Sequence, residues 1–212
     1  MNRREFSTLG AATIAALGTN LAVAQPVAGT NFLKLSQPQP TLDANKIEVL
    51  EFFSYSCPHC FAFEPAIDTW SRKLPADVLF RRMPVAFREV PFVLHQKLYF
   101  AIETLGLVDT LHRKVFAAIH VERNPLDTPE KVLDFVAKNG VDRAKFADVM
   151  NSFGVATKAR QASTLTAGYK VDGTPAMGIN GRFYTSGTLA GGNEASLAVT
   201  DYLVAQIRKT KG

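Results

Sequence analysis

The chain has two cysteines, Cys57 and Cys60, with Pro58 and His59 between them. Two cysteines at this spacing serve as a structural bridge, as half of a metal site, or as a reversible dithiol–disulfide couple. A structural bridge stabilises by closing a long loop of the unfolded chain, and this one closes almost none. Zinc needs further ligands at tetrahedral spacing, and no second cluster is present. The other histidines, His95, His112 and His120, are scattered through a stretch of helical pattern and read as surface or packing residues. Haem attachment requires histidine directly after the second cysteine, where Phe61 stands. The remaining chemistry is thiol–disulfide exchange.

The flanking segments suit that chemistry. Ile47–Phe53 (IEVLEFF) is apolar apart from Glu48 and Glu51 and reads as a central strand of a covered sheet. Ser54-Tyr55-Ser56 makes a turn. Beyond it Phe61, Ile67, Trp70 and Leu74 recur at roughly helical spacing, so Cys57 opens a helix with Pro58 at its first position. Unpaired backbone N–H groups and the positive end of the helix dipole then face the Cys57 sulfur and favour thiolate. Cys60, one turn further in, suits a resolving thiol. Far downstream, Thr174-Pro175 opens a short strand, and Asn180-Gly181 reads as a type I′ turn into a second one.

Glu51 to Cys60, followed by Phe63-Glu64, closely resembles the active-site segment of the DsbA-like periplasmic oxidases, and the proline loop and hairpin match as well. The resemblance implies an α/β chain: a thioredoxin fold with an inserted helical domain. Strands are expected near Leu33–Leu35, Ile47–Phe53 and Val78–Val85. The thioredoxin-like domain would comprise residues 25–88 and 168–212, and the helical insertion 89–167. Within the insertion, Leu98 to Ile119 carries an apolar stripe. Thr128 and Asp142 read as N-caps, the second of a helix ending near Gly154.

The resemblance also implies roles. Cys57 is the exchanging sulfur, Cys60 resolves the mixed disulfide, and His59 stabilises the Cys57 thiolate. Pro58-His59 is similar to the oxidase dipeptide rather than the reductase one. Thr174-Pro175 is expected to be a cis-proline loop that pairs with substrate. Thr174, where some members carry a branched apolar residue, places a hydroxyl near the sulfurs. Threonine there also occurs in the isomerase and reductase branch, which leaves that activity as an alternative. Glu51 is a candidate proton relay to Cys60, whereas Glu64 reads as a solvated helix residue. Partners would be reduced or unfolded exported proteins and a quinone-linked membrane oxidase resembling DsbB.

Composition sets the remaining limits. A chain of 212 residues, 47% hydrophobic with net charge +5, can bury a large core. It has no lysine–arginine block dense enough for nucleic acid. Arg3-Arg4, the apolar stretch from Leu9 to Val23 and Ala22-Val23-Ala24 read as an export signal occupying residues 1–24. An uncleaved anchor is the alternative. The arginine pair resembles a twin-arginine signal only in part, so either export route stays open. The expected location is the periplasm, as a monomer without cofactor or metal. Gly187–Gly192 reads as a flexible connection, not a phosphate cradle. A soft-metal-binding protein using both thiols is the third reading.

Overall fold

The computed structural model describes residues 25–211. The export-signal reading falls on residues outside the described ones. Among the described residues, one sheet runs in the order β1-β5-β4-β2-β3, from β1 (Leu33–Lys34), β2 (Ile47–Phe53), β3 (Val78–Pro84), β4 (Ala176–Ile179) and β5 (Phe183–Ser186). Helix α1 (Pro58–Ser71) crosses between β2 and β3 and makes them parallel. β4 runs antiparallel to β2 and turns into β5 at Asn180-Gly181, where both residues take positive φ, as a type I′ turn requires.

All of β2 is buried because both faces of the sheet are covered. Ile47 and Val49 pack with Phe63 and Ile67 of α1 and with Leu203 and Val204 of α8 (Asn193–Lys211). Leu50 and Phe52 point the opposite way, as alternation along a strand demands. Phe52 meets the ring of Tyr169 at 5.1 Å. Burial of each such side chain stabilises by about 1.5–3 kcal/mol.

The segment between β3 and β4 is helical: α2 (Phe92–Thr104), α3 (Val108–His120), α4 (Pro129–Lys138), α5 (Arg143–Met150) and α6 (Phe153–Gly168). The chain therefore has the thioredoxin fold with helices inserted. The apolar stripe from Leu98 to Ile119 is shared by two helices, broken where Gly106 takes φ +69°. Thr128 and Asp142 cap α4 and α5 by accepting from Lys131 N–H and Lys145 N–H.

Two expectations need correction. The helix capped by Asp142 ends at Met150 rather than near Gly154, because the Ser152 hydroxyl accepts from Val155 N–H and starts α6. The Gly187–Gly192 stretch is not all loop. Its first residues form a single turn, α7 (Gly187–Ala190), capped by Ser186 and closed by Gly191 at φ +85°.

Strand register places the site. Phe52 of β2 pairs with Ala176 of β4. The turn leaving β2 and the residues entering β4 therefore meet at one end of the sheet, bringing Cys57 against Thr174-Pro175.

Candidate active site: a split thiol pair over buried acids

Cys57 is the N-cap of α1, with Pro58 at the first helical position, where its missing N–H costs nothing. Cys57 N–H donates to Ser54 O at 3.0 Å, and Phe61 N–H donates to Cys57 O at 3.1 Å. The sulfur thus sits over the free N–H groups of the first turn. Its pKa is lowered from the ordinary 9.0 to about 5. The largest cause is the hydrogen bond from the Cys60 thiol; partial burial opposes it, and the Thr174 side chain and the backbone N–H groups of Cys60 and His59 reinforce it. Cys60 is fully buried, and burial drives its thiol well up. The pair is split into an outer thiolate and an inner thiol.

The Thr174–Pro175 peptide is cis, and the Thr174 carbonyl oxygen lies 3.2 Å from Cys57 Sγ. The cysteines are not joined as a disulfide here, and in its protonated form Cys57 donates its S–H to that carbonyl. That single bond favours the thiol, and the donors around the sulfur outweigh it. The Thr174 side chain acts on both sulfurs, lowering each. A cavity of about 510 Å³ opens beside the pair, lined by His59, Thr174, Pro175, Tyr184, Ser186 and Thr188 among others. His59 is exposed, and the part of it that acts on Cys57 is its backbone N–H. Among the described residues, no group of three or more His, Cys, Asp or Glu could hold a metal ion.

The strand and helix that flank the pair carry a buried charge network. Glu51 on β2 is opposite Arg82 on β3, with Arg82 Nε 3.2 Å from Glu51 Oε2 at ion-pair distance, though not aligned as a hydrogen bond. Arg82 also donates to Glu64 Oε1 at 2.8 Å. Glu64 Oε2 in turn lies 3.3 Å from His112 Nε2. Glu64 is 3% exposed, which corrects its reading as a solvated residue. It lies four residues after Cys60 on the same helical face, and that face turns into the protein. Burial raises the Glu51 pKa from 4.5 to about 8; Arg82 pulls it down and Glu64 pushes it further up.

Residues 48–197 match the DSBA-like thioredoxin domain. This chain belongs to the DsbA-like thioredoxin family. The Thiol:disulfide interchange protein DsbA of Bordetella parapertussis is 42% identical over 211 residues, covering 99% of this chain and 100% of that protein. The protein of the same name from Pseudomonas aeruginosa is 42% identical over 181 residues, 85% of each chain. The crystal structure of Pseudomonas aeruginosa DsbA superimposes with a TM-score of 0.84 at 42% identity, over 87% of this chain and 96% of that one. The DsbA-like chain is accordingly a protein-disulfide oxidoreductase.

Sequence reasoning about this DsbA-like chain missed two features of its site. Arg82 was not singled out, although charged Arg81 and Arg82 stand in an apolar strand beside a strand carrying Glu48 and Glu51. Paired charges in two adjacent buried strands are the signal that would have found it. The second is the histidines. His95 and His112 are buried, and all three non-motif histidines hydrogen-bond the Tyr55-Ser56 turn. They come from α2 and α3, whose placement over the turn is a tertiary fact that no local spacing encodes.

Proposed function

We propose that Cys57 and Cys60 form the redox pair through which this protein donates disulfides to newly exported proteins in the periplasm. A substrate thiolate attacks Cys57 Sγ of the oxidised pair, the Cys57–Cys60 bond breaks, and Cys60 leaves and takes up a proton. A second substrate thiolate attacks the substrate sulfur of the mixed disulfide and expels Cys57 as thiolate. The substrate loses two electrons and gains a disulfide; the protein ends as a dithiol.

The observation that carries this reading is the Cys57 pKa of about 5 beside a buried Cys60. A low-pKa thiol leaves readily, and a stabilised thiolate favours the reduced protein, which makes the disulfide oxidising. Glu51 is the proton reserve in this scheme: burial keeps it protonated up to about pH 8, so a proton is at hand at neutral pH. Thr174-Pro175 and the adjoining cavity take the substrate segment around its cysteine, the Thr174 backbone pairing with it as an added strand. Recharging falls to a quinone-linked membrane oxidase resembling DsbB. Among the described residues, no helix is long and apolar enough to cross a membrane.

The test uses oxidised protein and a reduced, unfolded model substrate. Oxidation should proceed to one substrate disulfide per protein and stop. Cys57→Ser should abolish it, and Cys60→Ala, supplied with oxidised glutathione as the two-electron oxidant, should accumulate mixed disulfides on Cys57. Retained activity in Cys57→Ser overturns the assignment.

A further inference from the structure

Three of the chain's four histidines converge on the two residues that precede Cys57. His120, at the end of α3, has Nε2 2.8 Å from the Tyr55 carbonyl oxygen, so that nitrogen carries the proton and donates. His112 of α3 has Nε2 facing the Glu64 carboxylate, which leaves Nδ1 to accept from the Tyr55 hydroxyl at 2.8 Å. His95 of α2 has Nε2 facing the carbonyl oxygens of Pro125 and Leu126 at 3.1 and 3.2 Å. Its Nδ1 is therefore the acceptor for the Ser56 hydroxyl, at 3.2 Å.

His120 makes a second contact. Its ring stacks on Phe61, with centroids 5.1 Å apart and planes 10° apart. Phe61 directly follows Cys60, and its N–H bonds the Cys57 carbonyl. One residue of the inserted helices thus holds both flanks of the Cys57–Cys60 segment.

We propose that His95, His112 and His120 form a clamp by which the inserted helices set the position of Cys57 and hence its oxidising strength, with His120 as the principal positioning residue. The two redox states depend on the clamp unequally. In the disulfide, the covalent bond itself holds Cys57 against Cys60. In the dithiol, the Cys57 sulfur meets its donors only if the Ser54–Ser56 turn is held in place. Loosening the turn therefore costs the reduced form more, and the protein becomes a weaker oxidant.

The inference rests on Cys57 and Cys60 being the redox pair, and the experiment separates the two claims. The full chain is equilibrated with reduced and oxidised glutathione, and ionisation of Cys57 is followed by thiolate absorbance. His120→Phe keeps the ring stack and removes the N–H donor. His120→Gln restores a donor. Ser56→Ala removes the His95 bond from the turn side and provides an independent arm. Loss of one net hydrogen bond shifts an equilibrium roughly two- to tenfold. His120→Phe should shift the glutathione equilibrium by that factor toward the protein disulfide and move Cys57 ionisation to higher pH. His120→Gln should return both toward wild type, and Ser56→Ala should shift both in the direction of His120→Phe. If His120→Phe and Ser56→Ala both match wild type, or if His120→Gln behaves like His120→Phe, the clamp is refuted. A wild type that fails to equilibrate with glutathione, or a Cys57→Ser variant that succeeds, removes the redox reading beneath it.

Discussion

Glu51→Gln should stabilise the protein at neutral pH, although it removes the carboxyl group that faces Arg82. Glu51 is 1% exposed, and burial raises its pKa from 4.5 to about 8. Because the folded pKa lies above the unfolded one, the group contributes no penalty below about pH 4.5. Between there and about pH 8 the unfolded chain releases a proton that the folded chain keeps, and stability falls by about 1.4 kcal/mol per pH unit. From pH 5 to pH 7.5 the loss approaches ~3 kcal/mol. Glutamine is neutral throughout and removes this slope, but it gives up the Arg82 contact, so the net gain at pH 7.5 should be about 2 kcal/mol. The assay is urea unfolding at both pH values on the disulfide form, in which Cys57 and Cys60 do not titrate. The variant's stability advantage over wild type should grow by about 3 kcal/mol from pH 5 to pH 7.5, while buried His95 and His112, whose pKa values burial lowers, strengthen both proteins alike over that range. A constant difference between the two proteins at both pH values refutes the reasoning.

Arg82→Met leaves the buried Glu64 carboxylate without its hydrogen-bonded cation and should cost about 3–5 kcal/mol near neutral pH, read from the same urea midpoints. Phe53→Ala empties a site where rings of Tyr55, Tyr99 and His112 stand 5.1–5.2 Å away, and should cost about 3–5 kcal/mol in thermal or urea unfolding. Thr174→Val removes a side chain that favours the Cys57 thiolate, so Cys57 should ionise at higher pH and the protein should oxidise glutathione less completely.

What the sequence disclosed was mostly local. The Cys57–Cys60 helix start, the strand Ile47–Phe53, the Asn180-Gly181 turn and the caps at Thr128 and Asp142 each depend on residues within a few positions of one another. Their chemistry is visible in the one-dimensional pattern. The Ser152 cap was missed because serine in a polar stretch between two helical patterns gives no separate signal. The Glu64 environment was missed for a different reason. Its helix position alone does not say which face is covered; only the arrival of Arg82 from β3 and His112 from α3 makes it a buried charge. The histidine contacts to Tyr55 and Ser56 span separations of 39, 57 and 65 residues, and nothing in the spacing of His95, His112 and His120 announces a common target.

The central claim is that the fold holds Cys57 as a thiolate at neutral pH while Cys60 stays protonated. Titration of thiolate absorbance in the reduced protein tests it most directly. One sulfur should ionise near pH 5, and that transition should vanish in Cys57→Ser. A transition near the ordinary thiol value of 9.0, or one near pH 5 that survives in Cys57→Ser, would contradict the account.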